Sequence, residues 1–163
     1  MTVEGPPART TEDRAAAFAD WVRPHLTAMA NLAARISSYD DRDDVVQEAL
    51  VRAWRKWSTY DPSRGAPLPW LLAITADRAR RRRRRPPVLE LVDSAVEQRT
   101  ADIDLELAIG RLSARQHLAV DLYYFVGLDV TATAAVMGCS TGTVKSTLSD
   151  ARSRLRTLLG DDS

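Results

Sequence analysis

Cysteine is nearly absent from this chain of 163 residues: Cys139 stands alone, so no internal disulfide can brace the fold. Histidine is almost as scarce. His25 and His117 lie far apart without companion ligands, which argues for structural roles and against a metal centre. Aromatic residues make up only 6%, so a core must come mainly from Ala, Leu and Val, as suits packed helices. No apolar run approaches membrane-spanning length, and the N-terminus lacks the apolar stretch of a signal peptide; we therefore expect a cytoplasmic protein. Also missing are a Ser/His/Asp arrangement, a glycine loop that could cradle phosphate, and His-Glu-x-x-His. These absences predict no cofactor, no metal and no enzymatic activity of the chain's own.

What is abundant is segregated charge. The formal net charge of +1 averages over dense blocks of opposite sign. Arg78 and Arg80 through Arg85 form a basic block, yet Lys56 and Lys145 are the only lysines among 23 basic residues. Asp40, Asp41, Asp43, Asp44 and Glu48 form an acidic block, and Asp102, Asp104 and Glu106 a smaller one. Such separation points to one surface for nucleic acid and another for a basic protein partner.

The C-terminal third carries a second signal, the spacing Ala134, Gly138, Val144. A helix-turn-helix needs a small residue where its first helix meets the second. It also needs a glycine in the turn and an apolar anchor on the second helix. Ser140 or Thr141 can cap that second helix, whose start is the part that enters a DNA major groove. Cys139, in the turn, suits a small half-buried position.

Helical periodicity organises the rest. Thr10 to Asp13 offers a capping box. Phe18, Trp21, Val22, Leu26, Met29, Leu32, Ala33 and Ile36 then recur at three- and four-residue steps, with Pro24 dividing the helix near Arg23. A second helix is expected from about Asp41 to Trp57, with Val46, Leu50, Ala53 and Trp57 on its inner face and Val45, Ala49 and Trp54 widening it. A third, from about Leu68 to Arg85, turns Trp70, Leu71, Ile74 and Ala79 inward and is stopped by Pro86 and Pro87. Between them lies a turn-rich loop, Ser58 to Pro69. Further helices carry Ile103, Leu107, Ile109 and Leu112, then Leu118, Val120, Leu122, Tyr123 and Phe125, with Gly127 as a C-cap. The expected fold is all-α: two small helical domains joined by a flexible linker. The boundaries are 1–10 (disordered), 11–85 (first domain), 86–101 (linker) and 102–163 (helix-turn-helix domain).

With both domains laid out, the chain resembles a bacterial RNA polymerase sigma factor of the extracytoplasmic-function group, reduced to regions 2 and 4. Asp43-Asp-Val-Val-Gln-Glu-Ala-Leu-Val-Arg-Ala-Trp54 is similar to the region 2 helix that docks on the clamp coiled coil of the polymerase largest subunit. Trp70-Leu-Leu-Ala-Ile74 with its arginine-rich end is similar to the helix facing the −10 element. Leu112-Ser-Ala-Arg-Gln116 and Gly142-Thr-Val-Lys-Ser146 resemble the two ends of region 4. The resemblance implies polymerase contacts from Asp43, Asp44, Gln47, Glu48 and Arg52. It implies −10 recognition and melting by Tyr60, Arg64, Trp70, Asp77, Arg78, Arg80 and Arg81, the loop at Tyr60 to Pro67 receiving a flipped base. It implies −35 contacts from Ser140, Thr141, Thr143, Lys145, Ser146, Ser149 and Arg152. Arg154 and Arg156 would hold the backbone, and Leu155, Leu158 and Leu159 would serve the core or the polymerase flap. The later arginines of the block would fray before Pro86. The implied partners are core RNA polymerase and promoter DNA. Anti-sigma control is common in the family, though the sequence identifies no inhibitor.

Two departures stand out. Thr147 and Asp150 replace residues for which the family form has arginine or another polar-to-basic side chain, and Asp77 stands where asparagine is usual. Each carboxylate places a negative charge near expected DNA phosphates. Two other readings stay open: a DNA-binding regulator using the helix-turn-helix alone, and a degenerate sigma-like protein that occupies polymerase or an inhibitor without starting transcription. The first domain, with its docking helix, separates the main reading from a simple repressor.

Overall fold

A computed structural model describes residues 10–83 and 100–160. Residues 1–9 of the expected disordered segment 1–10 and 86–99 of the expected linker 86–101, with Arg84 and Arg85 before it, lie outside the described residues, and the last two positions of that linker already belong to a helix. Helix α1 (Thr11–Val22) starts where Thr10 Oγ1 accepts the Asp13 N–H at 3.3 Å. Pro24, with no N–H to donate, falls in a 3-10 turn (Arg23–His25) that separates α1 from α2 (Leu26–Ile36). α3 (Arg42–Lys56) and α4 (Pro67–Arg83) complete the first domain.

Val45, Ala49 and Ala53 are the fully buried line of α3, while Val46, Leu50, Trp54 and Trp57 pack at its edges. The apolar face is thus centred one position earlier than the expected 46-50-53-57 stripe. Small residues at its middle let α3 approach α2 and α4 closely. α4 buries Leu71, Leu72, Thr75, Ala76 and Ala79; the Thr75 hydroxyl is satisfied by the Leu71 carbonyl at 2.8 Å. At one end the scarce aromatics are concentrated. Phe18 meets Trp54 and Trp57 at 5.3 and 5.2 Å, and Trp21 meets Tyr60 and Trp70 at 5.1 and 5.9 Å, mostly edge to face.

The second domain begins with α5 (Thr100–Gly110), followed by α6 (Ala114–Val120), where Ser113 and Gln116 form a reciprocal capping box. α6 runs into a widened π turn, Asp121–Phe125, and Gly127 ends it at φ +84°. α7 (Val130–Met137) and α8 (Thr141–Leu159) form the expected helix-turn-helix. Gly138 takes the left-handed conformation at φ +66°, Ala134 and Val144 are buried, and Ser140 caps α8. Cys139 is free and half-buried, as expected.

α5 differs from its expected stripe. Ile109 and Leu112 are inside with Ala108, while Ile103 and Leu107 are exposed; Ile109 is the α5 residue in the buried cluster with Val144 and Leu148 of α8. Phe125, expected inward, is also 43% exposed.

Sequence periodicity treated the two domains as separate bodies; they pack against each other. Leu118, Leu122, Leu128 and Val136 of the second domain belong to the same buried cluster as Met29, Leu32 and Leu72 of the first. α7 lies against α4, and the π turn against α2.

Candidate nucleic-acid and protein-docking surfaces

The outer face of α3 faces away from the core because its apolar residues recur every fourth position. Asp43, Asp44, Gln47 and Glu48 are exposed and Arg52 is half-buried. Asp44, Gln47, Glu48 and Arg52 line one shallow groove around the exposed Val51, with Arg78 and Arg82 of α4 on its far wall. Asp43 is turned aside onto Arg42 at 3.0 Å.

Arg82 corrects the expectation that the later arginines fray. Its guanidinium reaches Asp41 and Asp44 at 2.9 Å each and Glu48 at 3.1 Å, bolting α4 to α3. Hydrogen bonds from Ser38 and then Arg82 hold the Asp41 carboxyl below its ordinary pKa. The hydrogen bond to Asp41 likewise raises that of Arg82. The signal was present in the sequence, since residues 41, 44 and 48 share a helical stripe. What it did not disclose was which arginine faces them.

The loop before α4 is built by local bonds. Asp61 accepts the Ser63 N–H at 2.9 Å, and the Tyr60 hydroxyl donates to the Gly65 carbonyl at 2.8 Å. Tyr60, Arg64 and Trp70 are brought together around a cleft of about 280 Å³, and the Tyr60 ring lies 5.4 Å from that of Trp70. Ala135 of α7 also lines this cleft.

Asp77 is not a bare negative charge. It pairs with Arg78 at 3.0 Å and Arg81 at 3.2 Å. Burial pushes its pKa up, but the Arg78 hydrogen bond and the charges of Arg81 and Arg78 outweigh this and hold it below the ordinary carboxylate value. Arg78 lines the α3 groove, away from the Tyr60–Trp70 cleft, while Arg80 and Arg81 are exposed.

On α8, Thr141, Lys145, Ser146, Ser149 and Arg152 are exposed in sequence with the helical repeat. Ser140 is spent on the cap, accepting the Thr143 N–H at 3.1 Å, and the two hydroxyls lie 2.9 Å apart. Arg152 donates to the Tyr124 hydroxyl at 2.8 Å. Of the departures noted above, Thr147 is 9% exposed and faces the core, whereas Asp150 is exposed. Beyond them Leu155 and Leu159 form a groove with Leu105 of α5. Among the described residues no cluster of His, Cys, Asp and Glu could hold a metal, and no helix is long and apolar enough to cross a membrane.

These surfaces belong to a known class. Residues 21–86 match the model of sigma-70 region 2, and residues 102–155 that of sigma-70 region 4, the two modules of bacterial promoter-recognition subunits. The chain is 34% identical to the ECF RNA polymerase sigma factor SigM of Mycobacterium tuberculosis, over 88% of this chain and 78% of that protein. It is 30% identical to the RNA polymerase sigma-E factor of Streptomyces coelicolor, over 85% and 84%. Among solved structures it resembles CnrH in complex with the cytosolic domain of CnrY (TM-score 0.71, 29% identity, 91% of each chain). It also resembles RpoE of Bartonella quintana in complex with the anti-sigma factor NepR (TM-score 0.68, 29% identity, 90% of this chain and 99% of that one). The chain belongs to the ECF family of RNA polymerase sigma factors. It is a transcription-initiation subunit that binds core polymerase and directs it to promoter DNA.

Proposed function

We propose that Asp44, Gln47, Glu48 and Arg52, with Asp43 at the margin, form the surface that docks on the polymerase clamp coiled coil. Their convergence on one exposed groove around Val51 is the observation that carries this reading. Carboxylates and an amide around an apolar centre suit an arginine-bearing helical partner. Tyr60, Arg64 and Trp70 receive an unstacked base at the −10 element, in a cleft whose walls are aromatic and cationic. Arg80 and Arg81 hold phosphate beside it, and Asp77 serves to orient Arg78 and Arg81. On α8, Thr141, Lys145, Ser146, Ser149 and Arg152 read the −35 element, while Ser140 and Thr143 build the helix start that presents them.

In this reading residues 11–85 form the polymerase and −10 domain and 102–163 the −35 domain, with the linker of 86–101 giving its last two residues to the start of α5. The chain works in the cytoplasm and makes no covalent bond, the polymerase supplying the chemistry. The solved pairing of RpoE with an anti-sigma factor supports control of this chain by an inhibitor of that kind. The test is reconstitution. Purified chain added to core polymerase should give specific run-off transcripts, whose start sites map the promoter. A Gln47→Ala/Glu48→Ala variant should lose core binding by about tenfold while its −35 DNA binding is unchanged. Undiminished core binding would show that the docking face lies elsewhere.

A further inference from the structure

We propose that Tyr124 and Arg152 form a clamp for a single phosphate of the promoter backbone, the arginine supplying charge and the tyrosine a neutral donor. The two side chains come from different elements, the π turn Asp121–Phe125 and α8. An N–H of Arg152 Nη1 donates to the Tyr124 hydroxyl oxygen at 2.8 Å. That bond uses an oxygen lone pair and leaves the phenolic proton to be donated elsewhere. Among the described residues the hydroxyl has no second partner. Arg152 keeps its other guanidinium N–H groups. Two donors, held side by side and both exposed, match the neighbouring oxygens of a phosphate diester.

Each donor is held from behind. The Tyr124 ring stands edge-on to that of Tyr123, with centroids 5.0 Å apart and planes at 83°, and Tyr123 packs on the buried cluster of the second domain. Arg152 borders the apolar groove of Leu105 and Leu155, which supports its stem. Its charge is not spent within the fold. Asp150, two residues before it, lies on another side of α8, and among the described residues Arg152 is paired with no carboxylate.

The position of Arg152 along α8 selects backbone over base. Lys145 and Arg152 are seven residues apart, close to two turns, and so form a row on one side of the helix. Arg152 lies roughly 16 Å beyond the start of α8 at Thr141. Residues at the start of such a helix reach the base edges, and the major groove is only about 12 Å wide. A side chain that far along meets the groove wall, which is phosphate. The inference deepens, and rests on, the reading that α8 enters the −35 element.

Anisotropy titrations of the full-length chain on a fluorescent duplex carrying the mapped −35 element test the clamp, because its two donors respond differently to salt. Tyr124→Phe keeps the ring and removes the hydroxyl. It should weaken binding about fivefold, by the same factor at every salt concentration, since no charge is lost. Arg152→Ala should lower the salt slope by about one. The double variant should lose less than the product of the two single losses, because both donors serve one phosphate. Replacing backbone phosphates one at a time by neutral methylphosphonates should locate it, as the position that weakens wild type and leaves Tyr124→Phe/Arg152→Ala unaffected. A Tyr124→Phe variant that binds as wild type does, with or without a lower Tm, overturns the clamp and reduces the hydroxyl to a tie between the π turn and α8. A loss accompanied by a fall in salt slope overturns the second donor, because the tyrosine then acts only by aiming Arg152. Lys145→Ala, two turns away, checks the underlying reading. If it too binds normally, the −35 assignment fails; if it weakens binding while Tyr124→Phe does not, the clamp alone fails.

Discussion

The end of α4 and the length of α8 are both rich in arginine, and they spend it in opposite ways. On α4, Arg78 and Arg81 close on Asp77, and Arg82 holds three carboxylates of the α3 side. On α8, Lys145, Arg152, Arg154 and Arg156 are exposed, and Arg152 bonds the neutral hydroxyl of Tyr124. A run of like charge therefore has no single meaning. Where carboxylates of a facing helix enclose it, as they do Arg82, arginine becomes part of the scaffold. Where they do not, it remains available to phosphate.

The sharpest way to break this contrast is to strip α8. Lys145→Ala/Arg152→Ala should weaken binding to a −35 duplex about thirtyfold near 0.15 M salt and lower the salt slope by about two. Anisotropy titrations at several salt concentrations measure both, and an unchanged slope would mean that these cations do not meet phosphate. Next in size is the scaffold arginine. Because the Arg82 partners are themselves partly exposed, Arg82→Ala should cost only about 1 kcal/mol, lowering Tm by about 3 °C. Arg156→Ala should leave Tm within about 1 °C, and equal losses from the two would erase the distinction.

Asp150→Arg probes the one exposed departure on α8. It should tighten binding to any duplex several-fold without changing sequence preference, since it adds a phosphate contact and no base contact. Competition between promoter and random duplex distinguishes that outcome from altered specificity.

The smallest effect concerns His117, which faces Asp121, Arg35, Glu106 and Arg83. Burial first, reinforced by Arg83 and Arg35, lowers its pKa against the opposing pull of Asp121 and Glu106. The unfolded chain then binds a proton near the ordinary value of 6.5 while the folded one resists it, so stability drops as pH falls through that value. Asp121, raised by burial, works in the opposite sense, gaining stability on protonation as pH falls. Comparison with His117→Gln isolates the histidine. Wild type should lose up to about 1 kcal/mol more than the variant between pH 7.5 and 5.5, measured by denaturant melts. Parallel pH profiles would remove His117 from the interface.

Much of the fold was legible because its signals are short-ranged. The division at Pro24, the caps at Thr10 and Ser140, and the turn at Gly138 all follow from demands within four residues along the chain. The stripes on α3 and α5 were each misplaced by about one position, because periodicity identifies an apolar face without stating which residue meets the neighbouring helix. The exposed polar faces of α3 and α8 could be read for the same reason that the caps could. Thr147 could not: only the rotation of α8 against its core puts that position inside.

The larger gaps are long-range pairings. Arg82 and its carboxylates are 34 to 41 residues apart, and Arg35 and Asp121 are 86 apart. Local chemistry required that a wholly buried Asp121 find a cation, but any of 23 basic residues could have met that need. The order of residues settled that there are helices, where they begin and end, and that two of them form a DNA-reading pair. The packing of α4 on α3, and of α2 and α4 against the second domain, settled which arginines are structural and which face is covered. Charge acts through space, and only the folded chain says which charges are neighbours.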